Sequence, residues 1–362
     1  MKVEAVDAFP IRLKAKEKLR GGSFTYSHYR TVLVRAVCDG VEGWGEAMTR
    51  AEPRPTVILV REMAKPFVGK QLRGPSEAWE AVWRNLRVRG HTRGTDVEAL
   101  SGIEIALFDC YAKLSKKPLN RVLSTRPAEK VDAYAGSLFE SRGPLETQVE
   151  AVKASGLSGA KVKVGFGPDE DRAILKRVRR LLGDGMLVAD ANGAYDFRTA
   201  KRACQLFADL DLAWFEEPLL SDDWEGYQKL RLRSPVKLGA GESWFGGDFD
   251  ETVKRHLVHV LEPSVSRCGG VGTELLVGKL AARGKLGFSP MTGMNSAISL
   301  AASIHVASAV SSLGVEYNPF ANPLQTDLAS GLPKPKSGKL EVPRRPGLGL
   351  EVDAGFVRQN AG

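Results

Sequence analysis

The chain has 362 residues, 43% hydrophobic, 26% charged and 7% aromatic, with a formal net charge of +9 at pH 7. That balance excludes a disordered or fibrous chain and provides apolar material for two domains. No run approaches the ~18 consecutive apolar residues of a membrane helix, and the first twenty residues lack the apolar core of a secretion signal.

Residues 1 to about 50 read as β-rich: "VEAVDAFPIRL" and "RTVLVRAVCDGVEGWGEA" are strand-like, and "CDGVEGWG" supplies a hairpin turn. Between them "KEKLRGGSFTYSHYR" is polar and glycine-containing, and reads as a mobile loop. From 55 to 124 the apolar residues recur three and four apart, as in "SEAWEAVWRNL" and "DVEALSGIEIALFDCYAKLS", which predicts helices. Arg84, Arg87, Arg89 and Arg93 form the densest basic run, but no nucleic-acid motif accompanies it. An anionic small molecule suits the charge better than nucleic acid or a membrane. Cys38, Cys110, Cys204 and Cys268 lie far apart without a CxxC or Cys/His cluster, so they read as buried, reduced thiols of a cytoplasmic protein.

A second rhythm begins near residue 130. Eight short apolar runs, "VDAYAGS", "GAKVKVG", "MLVAD", "AWFEE", "VKLGAGE", "VHVLEPS", "LGFSPM" and "LGVEY", alternate with helical segments. This is the pattern of a closed parallel (β/α)8 TIM barrel. An open doubly wound sheet is disfavoured because no GxGxxG follows a first strand. The expected organisation is an α+β capping domain over 1–126, a barrel over 127–328, and a Pro/Gly-rich tail over 329–362 that packs back on the cap.

In "GAKVKVG" the strand period of two puts Lys161 and Lys163 on one face and Ala160, Val162 and Val164 on the other. For an isolated strand the two lysines would be solvated. In a barrel, inward residues at the C-terminal strand ends point into the active-site mouth. The next three strands end in acids: Asp190 with Asn192, Glu216 with Glu217, and Glu242. Each alone is explained as an acid at a helix N-terminus. Three together, without His or Cys, make a hard all-oxygen set that suits Mg2+.

On "GWGEA", "SGIEIALFDCYAK", "KVKVG", "DANGAYD", "WFEEPL", "GES", "SRCGG" and "PGLGLEVD" the chain resembles the mandelate racemase/muconate lactonizing branch of the enolase superfamily over nearly its whole length. The resemblance implies Mg2+ held by Asp190, Glu216 and Glu242, and abstraction of the proton α to a carboxylate to give a metal-stabilised enediolate. Such a proton is weakly acidic, so fixed positive charge must precede any side-chain base. Lys161 would join the metal in supplying it. Lys163, its pKa lowered by neighbouring cations, would be the base.

The family's second catalytic group is missing. Ser264 stands where an Asp or Lys after strand six would fall, and Met291 where a His after strand seven would fall. A single lysine then favours syn dehydration of an acid sugar or a muconate-type cycloisomerisation. The alternatives are a racemase using another acid, with Tyr26, His28, Tyr29 and Arg267 as candidates, or a catalytically silent carboxylate-binding barrel. Expected substrate contacts are Asn192, Tyr26, His28, Arg93, Asn295 and Glu316. By analogy with the family, a homo-oligomer is expected.

Overall fold

The computed structural model describes all 362 residues. Its N-terminal part opens with three antiparallel strands in the order β1 (Val3–Arg20), β2 (Thr25–Cys38) and β3 (Val41–Met48), followed by helices α1 (Arg54–Ala64), α2 (Pro75–Val88), α3 (Thr95–Leu114) and the short α4 (Leu119–Leu123). Alternation along the strands sorts the apolar residues to two sides. Ala8, Val32, Val34 and Ala36 join the core with α1, α2 and α3, while Ile11, Leu33 and Trp44 join the larger barrel-side core. Helix α3 serves both cores and is buried along most of its length.

The segment read as a mobile loop is instead the extended tip of the β1–β2 hairpin. Pairing continues through Lys14↔His28, Leu19↔Tyr26 and Arg20↔Thr25, with an irregularity between Lys14 and Leu19. Long-range partners hold these polar residues in a strand. Gly22 N–H donates to the Val164 carbonyl at 3.3 Å, and Tyr29 Oη donates to the Ala321 carbonyl at 2.9 Å. The Arg142 guanidinium lies 3.9 Å from the Phe320 ring centroid and 3.8 Å from Glu17. At the tip, a Cβ on Gly22 would meet the Gly165 carbonyl oxygen at 2.4 Å, so the two backbones approach this closely only because Gly22 has no side chain.

All eight expected barrel strands are present: β4 (Lys130–Leu138), β5 (Ala160–Lys163), β6 (Leu187–Asp190), β7 (Trp214–Glu216), β8 (Leu238–Ala240), β9 (Val260–Leu261), β10 (Gly287–Phe288) and β11 (Val315–Tyr317). Their pairs are parallel, in the order β10-β9-β8-β7-β6-β5-β4-β11. Bonds from Leu313 N–H to the Phe288 carbonyl and from Ser289 Oγ to the Gly314 carbonyl link β10 to β11 and close the circle. Seven helices alternate with the strands: α5 (Leu145–Ala154), α6 (Pro168–Leu182), α7 (Phe197–Leu206), α8 (Trp224–Arg231), α9 (Asp248–Arg255), α10 (Val271–Gly284) and α11 (Ala297–Ala309). Their starts follow familiar chemistry: Asp196 caps α7 through Thr199 N–H, and Ser296 caps α11 through Ile298 N–H.

The C-terminal segment runs through α12 (Pro323–Thr326), β12 (Ala329–Ser330), β13 (Lys339–Glu341), β14 (Glu351–Val352) and α13 (Ala354–Asn360). It touches both parts of the molecule. Strand β13 pairs antiparallel with β4, Leu348 N–H donates to Asp109 of α3, and Ala361 bridges to Ile11 of β1. No helix is long and apolar enough to cross a membrane.

Candidate active site

Strand β5 carries both lysines into the barrel interior, where they are 2% and 8% exposed. They are therefore not solvated surface groups. In register, Lys163 pairs with Asp190 and Asp190 with Glu216, which sets the β5, β6 and β7 ends side by side. The Lys161 ammonium lies 3.5 Å from Asp190, 3.1 Å from Glu216 and 3.2 Å from Glu316. Lys163 donates to Asp190 Oδ2 and, at 2.7 Å, to Asn192 Oδ1. The lysines thus share a face because they interleave with a row of carboxylates.

The neighbouring acids fix the charge on Lys161. Burial opposes the charge on Lys161, but Glu216, Glu316 and Asp190 outweigh it and hold its pKa well above the ordinary value. Lys161 is a fixed cation. Burial likewise opposes the charge on Asp190, yet Lys163 and Lys161 hold it below the usual carboxylate range. Glu216 goes the other way: burial, then the neighbouring Asp190, push it up to about 8.

These groups surround a cavity of about 290 Å³ between the barrel mouth and the cap. Its barrel wall includes Lys161, Lys163, Asn192, Glu217, Glu242 and Glu316, and its cap wall includes Tyr26, His28, Arg30, Met48 and Arg50. Three wall residues hold left-handed backbone without being glycine: Ser137 at φ 26°, Asn192 at 46° and Glu217 at 38°. Such conformations persist where surrounding structure enforces them and are characteristic of functional sites. Glu316 rests against two glycines, since a Cβ on Gly136 or Gly293 would come within 2.7 or 2.6 Å of its carboxylate. Its Oε2 accepts Gly293 N–H at 3.1 Å.

The expected metal-binding acids, Asp190, Glu216 and Glu242, are all buried at neighbouring strand ends, but no three acidic side chains stand close enough to share one ion. Lys161 bridges the first two, and Glu242 is paired with Arg50. The donor set nevertheless fits a hard cation. Glu217 Oε1 and Glu216 Oε2 are buried without a hydrogen-bond donor. Lys161 donates to Glu216 Oε1 at 3.2 Å, and its 3.1 Å approach to Oε2 is an ion contact off the hydrogen-bond direction. Unfilled carboxylate oxygens in a dry site are costly, and a divalent ion satisfies them.

Two expected substrate contacts lie elsewhere. Arg93 lines a separate surface depression, where it donates to Asp248 at 2.6 Å and approaches the Trp224 ring, because the α2–α3 connection carries it to the outer cap–barrel seam. Asn295 is 1% exposed and donates to Ser266 Oγ at 3.1 Å and Ser264 Oγ at 3.4 Å, forming a buried knot behind the cavity wall. Ser264 therefore leaves no acid or base at that position, while Met291 does line the cavity. Arg267 is held by Glu98 at 2.9 Å and by the Glu242 carbonyl. Tyr29 lies outside the cavity wall, bonded to Ala321. Arg30, Arg50 and Glu262 escape the sequence reading. The first two stand on and just past cap strands whose direction only the fold reveals, and Glu262 receives Trp214 Nε1–H at 2.9 Å beneath the mouth.

Comparison with known proteins fits this geometry. Residues 145–356 match the family profile "Enolase C-terminal domain-like", and residues 15–124 match "Mandelate racemase / muconate lactonizing enzyme, N-terminal domain". D-galactarolactone cycloisomerase of Agrobacterium fabrum is 28% identical, covering 98% of this chain and 97% of its own. Arabinonate dehydratase of Saccharolobus solfataricus is 28% identical, covering 89% and 87%. A racemase from Streptomyces coelicolor, solved with bound magnesium, superposes with a TM-score of 0.91 at 24% identity, covering 99% and 100%. The chain belongs to the mandelate racemase/muconate lactonizing branch of the enolase superfamily, and is an enzyme of the lyase or isomerase kind.

Proposed function

We propose that the enzyme removes the proton α to the carboxylate of an acid sugar with Lys163 as base, and completes either a syn dehydration or a cycloisomerisation. The observation that carries this reading is the unequal pairing of the two lysines. Lys161 contacts three carboxylates, whereas Lys163 contacts one carboxylate and an amide oxygen. Lys161 is thereby suited to stay charged beside the substrate carboxylate, and Lys163 is the amine free to exchange a proton.

Asp190, Glu216 and Glu242 would hold Mg2+, with Glu242 giving up Arg50. Bound there, the ion supplies positive charge where negative charge develops on the substrate carboxylate. Asn192 orients the Lys163 amine, and the β1–β2 hairpin covers the cavity and excludes water. In a dehydration the C2 proton passes to Lys163 and returns to the departing C3 hydroxyl on the same face, so that water leaves. No His, Lys or Asp from the ends of β9 or β10 lines the cavity, which supports one base rather than two. The names of the two relatives agree with both outcomes.

The substrate is a small carboxylate, and neither nucleic acid nor membrane enters this reading. The four buried, unpaired cysteines suit a reducing cytoplasm. The division at 126/127 and 328/329 and a homo-oligomeric state remain part of the proposal. The direct test is α-proton exchange: acid sugars incubated with enzyme and Mg2+ in deuterated water should gain deuterium at C2. Absence of exchange across aldonic acids, aldaric acids and their lactones would refute the assignment.

A further inference from the structure

Four side-chain cations line the cavity, and the protein neutralises three of them. Lys161 and Lys163 have their carboxylates, and Arg50 has Glu242, a partner it would yield to a bound metal, whereas Arg30 has no carboxylate with or without the metal. Arg30 makes no ion pair, and its side chain donates only to the Arg50 carbonyl oxygen at 3.4 Å. Its neighbours add positive charge. Arg12 is its partner across β1, and His28, two residues earlier on β2, is held toward its neutral form by burial and by Arg12, Arg30 and Lys14. Neither Arg30 nor Arg12 forms an ion pair; the acid whose charge feels Arg12, Glu52 just past β3, is bonded to Arg54 instead. The lysines stand on the barrel wall and Arg30 on the cap wall. The same cavity is lined by the hydroxyl-bearing residues Ser23, Thr25, Ser137, Ser221 and Ser243, a lining suited to a polyol.

We propose that Arg30 binds a second anionic group at the far end of the substrate, so that the substrate class is a dicarboxylic sugar acid or its monolactone. This deepens, and rests on, the reading that the reacting carboxylate sits at the lysines. A guanidinium meets a carboxylate through two parallel N–H···O bonds, and an unpaired one at a cavity wall gains most from such a partner. An aldonic acid ends in a neutral hydroxymethyl group and leaves Arg30 unanswered.

The test is calorimetric binding, at low salt with Mg2+, of galactarate and galactonate, which differ only in the terminal group. Galactarate is expected to bind about tenfold tighter or more, the effect of one charge-assisted contact. Arg30→Met should bring the ratio close to one by weakening galactarate, and Arg30→Lys, which keeps charge but not the fork, should fall between. A wild-type ratio near one, or a ratio unchanged in Arg30→Met, overturns the proposal. Tighter binding of 6-phosphogluconate than of galactarate overturns the carboxylate and assigns a phosphate. Should Arg30→Met fail to fold, the wild-type ratio and Arg30→Lys decide. Deuterium exchange on the same samples keeps the two readings apart: exchange without discrimination refutes Arg30 alone, and discrimination without exchange refutes Lys163 alone.

Discussion

Glu46, Glu104 and Asp109 in the cap and Asp190, Glu216 and Glu217 at the barrel mouth are all buried carboxylates, yet their oxygens are used differently. At the seam, Glu46 accepts from Ser296 N–H, Ser296 Oγ and Thr31 Oγ1, which ties β3 to the start of α11. Glu104 accepts Val271 N–H at 2.6 Å and Gly272 N–H at 2.9 Å, tying α3 to the start of α10. Asp109 holds the tail through Leu348 N–H and β3 through Trp44 N–H. Every one of these oxygens has a donor. At the mouth, by contrast, Glu216 and Glu217 each keep a bare oxygen. Asp190 is filled, by Lys163 and Asn192 N–H, and Glu262 beneath the mouth and Glu274 in α10 also keep an oxygen without a donor, so it is the pair of bare oxygens on adjacent Glu216 and Glu217, beside the cavity, that suits a cation.

Substitutions on either side of this contrast test it. The largest effect is expected for Lys163→Ala, which should lower α-proton exchange by about 10²- to 10⁴-fold, the usual contribution of a positioned base, with Mg2+ affinity retained. Exchange unaffected by the substitution would remove Lys163 from its role. Next, Glu104→Gln replaces one of two acceptors by a donor facing an N–H, and should cost about 1–3 kcal/mol in denaturant unfolding without altering Mg2+ binding. A variant as stable as the parent would mean that the seam bonds do not hold the cap.

Smaller still is Gly22→Ala. The added methyl collides with the Gly165 backbone, loosens the hairpin tip, and should raise KM more than it lowers kcat. The smallest effect is expected for Arg93→Ala. It lies off the cavity, so steady-state rates should stay within about twofold, as for surface sites away from such features. A large loss of kcat there would return Arg93 to the substrate contacts.

The barrel is legible in the sequence because its strands are buried on both faces and read as short apolar runs between helices, with acids at the ends of β6 and β7 and in the turn after β8. The motifs "GWGEA" and "SGIEIALFDCYAK" are equally visible, but as resemblance. Only the fold shows that Glu46, Glu104 and Asp109 within them fasten cap to barrel and tail. The hairpin is illegible because its partners, Arg142, Val164 and Ala321, are more than a hundred residues away and its own pattern is polar. Asn295 reads as a mouth residue by position, but its side chain turns back to Ser264 and Ser266. Which cation faces the cavity from the cap depends on strand direction, so Arg93 is chosen by composition and Arg30 is passed over.

The most direct measurement is a calorimetric Mg2+ titration of the parent, Glu216→Gln and Glu104→Gln. One site per chain is expected in the parent and in Glu104→Gln, with its loss in Glu216→Gln. No Mg2+ site in the folded parent, or one that survives intact in Glu216→Gln, would contradict the proposed site.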